Sequence, residues 1–348
     1  MIWLTWRQFR GQAIVAVAAL AVTGAALGVA GRHLAHLYNL SRAASCAAGH
    51  DCGGASTAFL NAVNATLINH LPLLFGTALI VVPAILGIFW GAPMITRELE
   101  AGTQRLVWSQ SVSRSRWLAI KLAVTVAAAM ATAGLFSLLV TWSAGPIDKV
   151  NLNRLQPAVF SERGIVPVGY AAFAVALGVF AGMLIRRTVP AMAVTLAIFT
   201  AVQFAMRALR EFLLAPVRLI SALNPADGLS ITTRQGSGAA HLMLTGNASI
   251  PGAWVLSTQV INAAGKVVSG VTLPASGPGS AQGCGGSGPS DVARPCLVQL
   301  AGRGFRQLVT YEPASRFWTF QWYETAIFLA LAAALAGFCF WFIRRRLS

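Results

Sequence analysis

The chain has 348 residues, of which 56% are hydrophobic and 10% charged, whereas soluble domains contain about 45–50% apolar and about 25% charged residues. This composition excludes an ordinary soluble domain, and it excludes a disordered chain because disordered chains are poor in apolar residues. The formal charge of +16 would suggest a nucleic-acid partner in a charge-rich protein, but here the total charge is too low. The remaining class is an integral membrane protein.

The first ten residues, 1–10, combine aromatic and basic side chains, including Trp3, Trp6, Arg7 and Arg10. This mixture is typical of a short amphipathic helix that lies in the membrane interface, with its rings among the lipid headgroups. Such a helix would lead directly into the first span. A flanking segment that only anchors the chain is an equally good interpretation.

Six runs are long, apolar and free of Asp, Glu, Lys and Arg, so each predicts a membrane-spanning helix. They are Gly11–Gly31, Leu71–Thr96, Leu122–Ile147, Gly164–Ile185, Thr188–Met206 and Thr325–Ile343. The first five place spans 1 to 5 within residues 11–206, and the first run is too long for a cleaved signal peptide. Two further uncharged stretches, 52–70 and 235–265, are predicted to be loops because polar residues and glycine recur in them too densely.

The positive-inside rule places both termini in the cytosol. With this orientation, 12 of the 26 Lys and Arg residues fall in short cytosolic segments. The remaining basic residues are spread over long external segments, together with most of the acidic ones. The chain is therefore predicted to be an all-α, multi-pass protein of the cell membrane with an even number of spans.

Four of the five cysteines fall in predicted external loops, where disulfides persist. Cys46 and Cys52 lie in the first external loop, and Cys284 and Cys296 lie in the last. Three pairings are open, and the two local pairs are favoured. Free thiols remain the alternative.

The segment between spans 2 and 3, residues 96–117, is the only sizeable internal cytosolic segment. Thr96 is predicted to be a helix N-cap, with Glu98 in the first turn and Gly102 at a stop or bend. A loop that only joins spans 2 and 3 would need fewer than half of the residues in 96–117. A docking helix for a partner protein is therefore favoured over a simple loop.

Residues 207–317 are predicted to form a small β-rich external domain between helices 5 and 6. Residues 253–273 are rich in Val, Ile and Thr, with a turn at 262–266, and predict a β-hairpin. Residues 297–311 are expected to add strand. The last span and its basic cytosolic tail occupy 318–348.

Neither ion-coupled transport nor catalysis is favoured by the residues. The six runs lack the ionisable side chains that ion-driven transporters use, and Gly265-Lys266 is followed by Val, so no Walker A motif is present. The histidines and cysteines match no zinc motif, and no metal site or cofactor is predicted in this chain. In span 4, Gly178 and Gly182 form a GxxxG pattern, for which generic packing is favoured over a dimer seam.

The residues Arg97-Glu98-Leu99-Glu100-Ala101-Gly102-Thr103, followed by Leu106 and by Ser113-Arg114 with Trp117 and Lys121, resemble the first cytosolic loop of ABC-2 type permeases. The termini look like an actinobacterial branch of that family. The resemblance implies a six-span half that pairs with a second half, as a homo- or heterodimer in membrane lipid. It also implies two cytosolic ATPase subunits that bind ATP and Mg. By position, the residues coupling the permease to the ATPase would be Arg97, Glu98, Glu100, Gly102, Thr103 and Arg105.

An exporter of an apolar or amphipathic substrate, drug-like or lipid-like, is the function that this resemblance implies. The chain would be a transport subunit without an ATPase site of its own. One alternative is a membrane sensor or immunity protein that binds a ligand through its external domain. Another is a membrane enzyme that uses the external histidines and cysteines.

Overall fold

The computed structural model describes residues 2–43, 53–100, 113–151, 154–223, 230–235, 239–245, 248, 250–274 and 298–346. The chain divides into two compact units. The first, the helical unit, comprises Met1–Leu209 and Phe317–Ser348, and the second, the β unit, comprises Arg210–Arg316.

Long helices build the helical unit. In chain order these are α1 Ile2–Leu40, α2 Gly53–Asn64, α3 Leu71–Leu86, α4 Ala92–Glu100, α5 Arg114–Ser143, α6 Gly145–Asn151, α7 Pro157–Phe160, α8 Val166–Ile185, α9 Thr188–Leu209 and α10 Phe317–Arg346. A 3-10 turn, Leu67–His70, precedes α3, and a π-helical segment, Gly87–Gly91, joins α3 to α4.

Six helical stretches among the described residues are long and apolar enough to cross a membrane, so the prediction of six spans is confirmed. They are Phe9–Leu40, Leu67–Glu98, Arg114–Ser143, Val166–Ile185, Thr188–Phe212 and Ala314–Arg345. A run of about 20 apolar residues matches the thickness of the hydrocarbon core, which is why composition locates these helices.

The prediction that residues 52–70 form a loop is wrong, because α2 and the 3-10 turn occupy most of this stretch. Phe59 and Val63 of α2 are buried against Leu34 of α1, and the Phe59 ring meets Tyr38 edge-on with ring centroids 5.7 Å apart. Polar density argues against insertion into the hydrocarbon core, but it does not prevent a helix from packing by one apolar face.

Helix α1 runs without a break through residues 2–10 and into the first span. Phe9 is buried, and its ring meets Trp90 edge-on with centroids 4.8 Å apart. The placement of residues 1–10 in a membrane interface stays a prediction.

Helix α8 lies at the centre of the helical unit, and small residues let neighbouring backbones approach it. A Cβ added at Gly178 would fall 2.7 Å from the backbone nitrogen of Ala92, and a Cβ added at Gly182 would fall 3.0 Å from the carbonyl oxygen of Ala92. At the π segment, a Cβ added to Gly91 would lie 2.6 Å from the carbonyl oxygen of Val175. The GxxxG pattern therefore packs helices within one chain, as generic small-residue packing predicts.

The β unit contains two antiparallel sheets. Their strands are β1 Val217–Ser221, β2 Ser230–Gln235, β3 Ala239–Thr245, β4 Trp254–Ile261, β5 Val267–Val268, β6 Gly270–Pro274 and β7 Arg306–Glu312. The strand orders are β1-β7-β4-β5 and β2-β3-β6. Val217 faces Tyr311 across the first pair. The hairpin predicted over residues 253–273 is confirmed for β4, its turn and β5, where Val260 faces Val268. It is wrong beyond β5, because β6 pairs with β3 in the other sheet.

The turn of this hairpin has a specific chemical cause. The Asn262 side-chain oxygen accepts hydrogen bonds from the backbone amides of Ala264 (3.1 Å) and Lys266 (2.9 Å), and Gly265 takes a φ of +75°, which glycine adopts without a Cβ clash. Two expectations for this region are wrong. Strand β3 lies in a stretch predicted as loop, and residues 298–302 are helical, so strand begins only at Arg306.

Candidate functional site

Helix α4, which follows the second span, continues out of the π segment. Thr96 was predicted to cap a new helix, and this prediction is wrong. Its hydroxyl is fully buried and donates to the carbonyl oxygen of Ala92 at 3.0 Å, one turn earlier in the same helix. Glu98 therefore lies in the last turn of a membrane helix and not in the first turn of a loop helix.

Glu98 forms an ion pair with Lys121 of α5. The side chains are only 13% and 7% exposed, and the Lys121 ammonium lies 4.9 Å from the centre of the Trp117 ring. A buried ion pair leaves an uncompensated charge when one partner is removed. The pair therefore holds the end of α4 against α5.

A cavity of about 220 Å³ opens beside this ion pair. Aromatic and polar residues of α1, the π segment, α4 and α5 line it, among them Phe9, Gln12 and Trp90. The Gln12 amide donates to the carbonyl oxygen of Phe89 at 2.9 Å. Because π-helical turns interrupt the regular helical bonding pattern and recur at functional sites, this contact places α1 at the segment of span 2 that is easiest to deform.

Glu100 joins the end of α4 to the start of α9. Its carboxylate accepts hydrogen bonds from the Thr188 backbone amide (2.8 Å) and hydroxyl (2.9 Å). The Thr96 and Thr188 hydroxyl oxygens are also 2.8 Å apart. The pKa of Glu100 is lowered, first by the hydrogen bond from the Thr188 backbone amide and then by the one from the Thr188 hydroxyl. Burial opposes these two bonds with a smaller effect, and the nearby Arg187 charge lowers the pKa slightly further. An anionic carboxylate thus binds the amide-rich N-terminus of α9.

The other predicted site residues are placed as follows. Trp3 and Trp6 belong to the first turns of α1, and Arg7, Arg10 and Arg97 are exposed. The remaining members of the predicted set fall outside the described residues, and their roles stay predictions. They are Gly102, Thr103, Arg105, Cys46, Cys52, Cys284 and Cys296.

A second cavity, the α3–α9 groove, has a volume of about 300 Å³. Its walls are apolar side chains of α3 and α9, including Val81, Leu196 and Phe199, and Gln203 and Arg207 lie at one end. Among the described residues, no acceptor lies within hydrogen-bonding distance of Gln203 Nε2 or Arg207 Nε, although both atoms are buried. The groove thus combines apolar walls with two hydrogen-bond donors.

The prediction that the spans carry no ionisable residue is wrong. Lys121 and Glu98 lie at the ends of their spans, and Glu324 lies inside the last one. Glu324 is fully buried, and its carboxylate accepts a hydrogen bond from the Tyr170 hydroxyl of α8. Each apolar run in the sequence ends next to a charged residue, so Glu98, Lys121 and Glu324 lie outside all six predicted spans.

A cluster of charges lies between α5 and α8. Glu162 is 3% exposed and lies so close to α3 that a side chain at Gly76 would collide with it. Burial raises the pKa of Glu162 to about 7, opposed by the charges of Arg163 and Arg207 and by a hydrogen bond from Thr77. Burial likewise raises the pKa of the carboxyl of Asp148 and lowers that of Arg163.

These helices define a multi-pass membrane protein. Residues 17–210, more than half of the chain, match the protein family described as ABC-2 membrane transporter related, and the chain belongs to that family. It is therefore an ABC permease, which confirms the family resemblance found in the sequence, and the actinobacterial branch stays a prediction. The corresponding searches of curated proteins and of solved structures find no match.

Proposed function

We propose that the chain is the membrane half of an ATP-driven exporter, and that α4 transmits movement from a separate cytosolic ATPase to the spans. Family membership supports an ATPase partner. The observation that carries the coupling role is the double attachment of α4, through Glu98 to Lys121 of α5 and through Glu100 to Thr188 of α9.

This attachment explains how a local push would spread. Residues directly after Glu100 belong to the segment that resembles the coupling loop. A force applied there displaces α4, and the ion pair and the α9 cap carry that displacement into two further spans. The π segment between α3 and α4 is the deformable joint, because its hydrogen bonding is already irregular.

The α3–α9 groove is the part of the molecule that such a movement would open or close. Its apolar walls suit an acyl chain or another apolar body, and the donors of Gln203 and Arg207 suit a carbonyl, phosphate or other acceptor. We therefore assign an amphipathic substrate, lipid-like or drug-like, exported across the cell membrane.

The complete transporter in this proposal contains a second permease half and two ATPase subunits. ATP and Mg bind in the ATPase subunits, and hydrolysis of this ATP supplies the energy for transport. Both termini and the α4 end of the bundle face the cytosol, in keeping with the basic residues there. In the same proposal, residues 207–317 are extracellular, as the positive-inside rule predicts.

Charge reversal at the ion pair tests the coupling. The chain is co-purified with its cognate ATPase, and substrate-stimulated ATP hydrolysis is measured for Glu98→Lys, Lys121→Glu and the double exchange. We expect each single exchange to abolish stimulation and the double exchange to restore most of it, since the pair is re-formed with reversed charges. Glu211→Lys, at an exposed carboxylate outside the pair, is the matched control and should retain stimulation.

Two results would contradict the proposal. Unchanged stimulation in both single exchanges would remove the role of α4 in coupling. Failure of any ATPase to co-purify, together with ligand binding by the β unit, would favour the sensor interpretation instead.

A further inference from the structure

A third cavity, the polar chamber, lies between α2, the 3-10 turn, the start of α3, α6, α7 and the segment before α8. Its volume is about 250 Å³, which is room for a small molecule and not only for one water. Asn69, Asp148 and Arg163 are among the residues that line it. It is distinct from the α3–α9 groove and from the cavity at Glu98.

The chamber contains one buried charge of each sign. Asp148 and Arg163 are 7% and 6% exposed, and Asp148 Oδ1 and Arg163 Nη2 are 3.5 Å apart. Good charge-assisted hydrogen bonds are shorter, about 2.7–2.9 Å. Arg163 uses Nη1 to donate to the Val140 carbonyl oxygen at 2.9 Å. The carboxylate and the guanidinium are therefore near one another without saturating each other. The other carboxylate oxygen of Asp148 lies 3.5 Å from Nε of Arg154, whose side chain is 49% exposed. The charges of the two buried residues that line the chamber sum to zero.

Two buried polar atoms in the chamber lack partners among the described residues. One is the acceptor Oδ1 of Asn69, a residue that is only 1% exposed, and the other is the donor Nε of Arg163. The orientation of the Asn69 amide follows from its nitrogen, which donates to the Ala62 carbonyl (3.2 Å) and the Thr66 hydroxyl (2.7 Å). Since Nδ2 is committed to these acceptors, Oδ1 remains as an acceptor.

Leaving a buried donor or acceptor unsatisfied costs about 1–3 kcal/mol each. Asn64, His70 and Gln156 also line the chamber. Its deeply buried polar groups are two acceptors, Asn69 Oδ1 and the Asp148 carboxylate, and one cationic donor, the Arg163 guanidinium. A ligand complementary to this set has a group with several N–H donors and a positive charge, an anionic group close to it, and no net charge.

We propose that the polar chamber binds a compact zwitterion, in which a primary ammonium lies a few bonds from an anionic oxygen. The ammonium meets Asp148 and Asn69 Oδ1, and the anionic oxygen meets Arg163 Nε. Two sources share this chemistry, the phosphoethanolamine headgroup of a lipid and a free amino acid. Leu73, which also lines the chamber, is 59% exposed, so an acyl chain has a route outward.

Calorimetric titration of the purified full-length chain in detergent tests the proposal without the ATPase. The probes are dihexanoyl phosphatidylethanolamine, its phosphatidylcholine and phosphatidylglycerol counterparts, and free glycine. We expect saturable binding of phosphatidylethanolamine or glycine, and at least tenfold weaker binding of the two other lipids. Phosphatidylcholine has no ammonium N–H, and phosphatidylglycerol has no cation. Whether the lipid or glycine binds identifies the source.

The variants are chosen so that folding is preserved. Asp148→Asn/Arg163→Met removes both charges together, so that neither Asp148 nor Arg163 is left buried without the other, and Asn69→Leu removes the acceptor at similar volume. Each should weaken binding at least tenfold, with a thermal midpoint that shows a folded protein. Asn39→Leu, the same change at an exposed position of α1, should bind as the wild type does.

Three outcomes would overturn the assignment. They are the absence of binding by all probes, which leaves a chamber filled only by water; equal affinity for the three lipids; and unchanged affinity in both chamber variants.

Discussion

Removal of one partner from the Glu98–Lys121 pair should destabilise the protein far more than removal of both. The two side chains are 13% and 7% exposed, so Lys121→Met removes the ammonium that pairs with the Glu98 carboxylate in a poorly hydrated place. Breaking a buried pair in this way costs about 3–5 kcal/mol. Glu98→Gln/Lys121→Met removes both charges, and an apolar replacement of a buried pair is often close to neutral.

The assay is thermal unfolding of the purified chain in detergent, with all variants in one buffer. At about 2–4 °C per kcal/mol, Lys121→Met is expected to lower the midpoint by roughly 6–20 °C. The double variant should recover at least half of that loss. A shift below about 1 °C for Lys121→Met, or a double variant as unstable as the sum of its single variants, would refute the reasoning, because the side chains would then not interact.

Three further predictions concern packing, ionisation and capping. Gly178→Ala forces a methyl group to within 2.7 Å of the Ala92 backbone nitrogen, so we expect the free energy of unfolding to fall by about 1–3 kcal/mol. Gly28→Ala is the control, because a methyl group there meets nothing within 4 Å and should leave stability unchanged. Equal thermal midpoints for the two variants would contradict the close approach at Gly178. The pKa of Glu162 is raised from 4.5 to about 7 in the folded chain, so the unfolded state releases this proton first and stability falls as pH rises from about 4.5 to 7, by up to about 3 kcal/mol. Glu162→Gln should remove that part of the pH dependence, and parallel curves for wild type and variant would exclude it. Glu100→Ala should speed hydrogen exchange at the α9 N-terminus, where its carboxylate binds the Thr188 amide, and Glu100→Gln should do so less; protection equal to wild type in both would contradict the cap.

The spans could be predicted from the sequence because each is decided by the apolar length of a single continuous segment. The hairpin turn was equally local, since Asn262 binds amides only two and four residues ahead. By contrast, β3 pairs with its sequence neighbour β2 and with the distant β6, and it was missed because the polar residues and glycines around it indicated a loop. Helix α2 was missed because its stability comes from packing on α1.

The candidate site was predictable only in part, because its contacts join positions far apart in the chain. Glu98 and Lys121 both belong to the pattern that carries the family resemblance, but nothing in that pattern indicated that two residues 23 positions apart form an ion pair. Thr188 lies 88 positions from Glu100, and no residue pattern indicated that they meet. The polar chamber likewise combines residues from α2 to α8, so only the folded chain shows the unpartnered atoms of Asn69 and Arg163.

The central claim is that α4 transmits ATPase movement to the α3–α9 groove, and one distance measures this directly. Spin labels are placed at Val81 and Leu196, exposed residues on the two walls of the groove, in the permease–ATPase complex. Pulsed electron–electron resonance then compares the label separation within one chain without nucleotide and with ATP. We expect ATP to shift the distribution of label distances in the wild type. The shift should disappear in Glu98→Lys and return in Glu98→Lys/Lys121→Glu. An ATP-induced shift that persists in Glu98→Lys, or no shift in the wild type during active ATP hydrolysis, would contradict it.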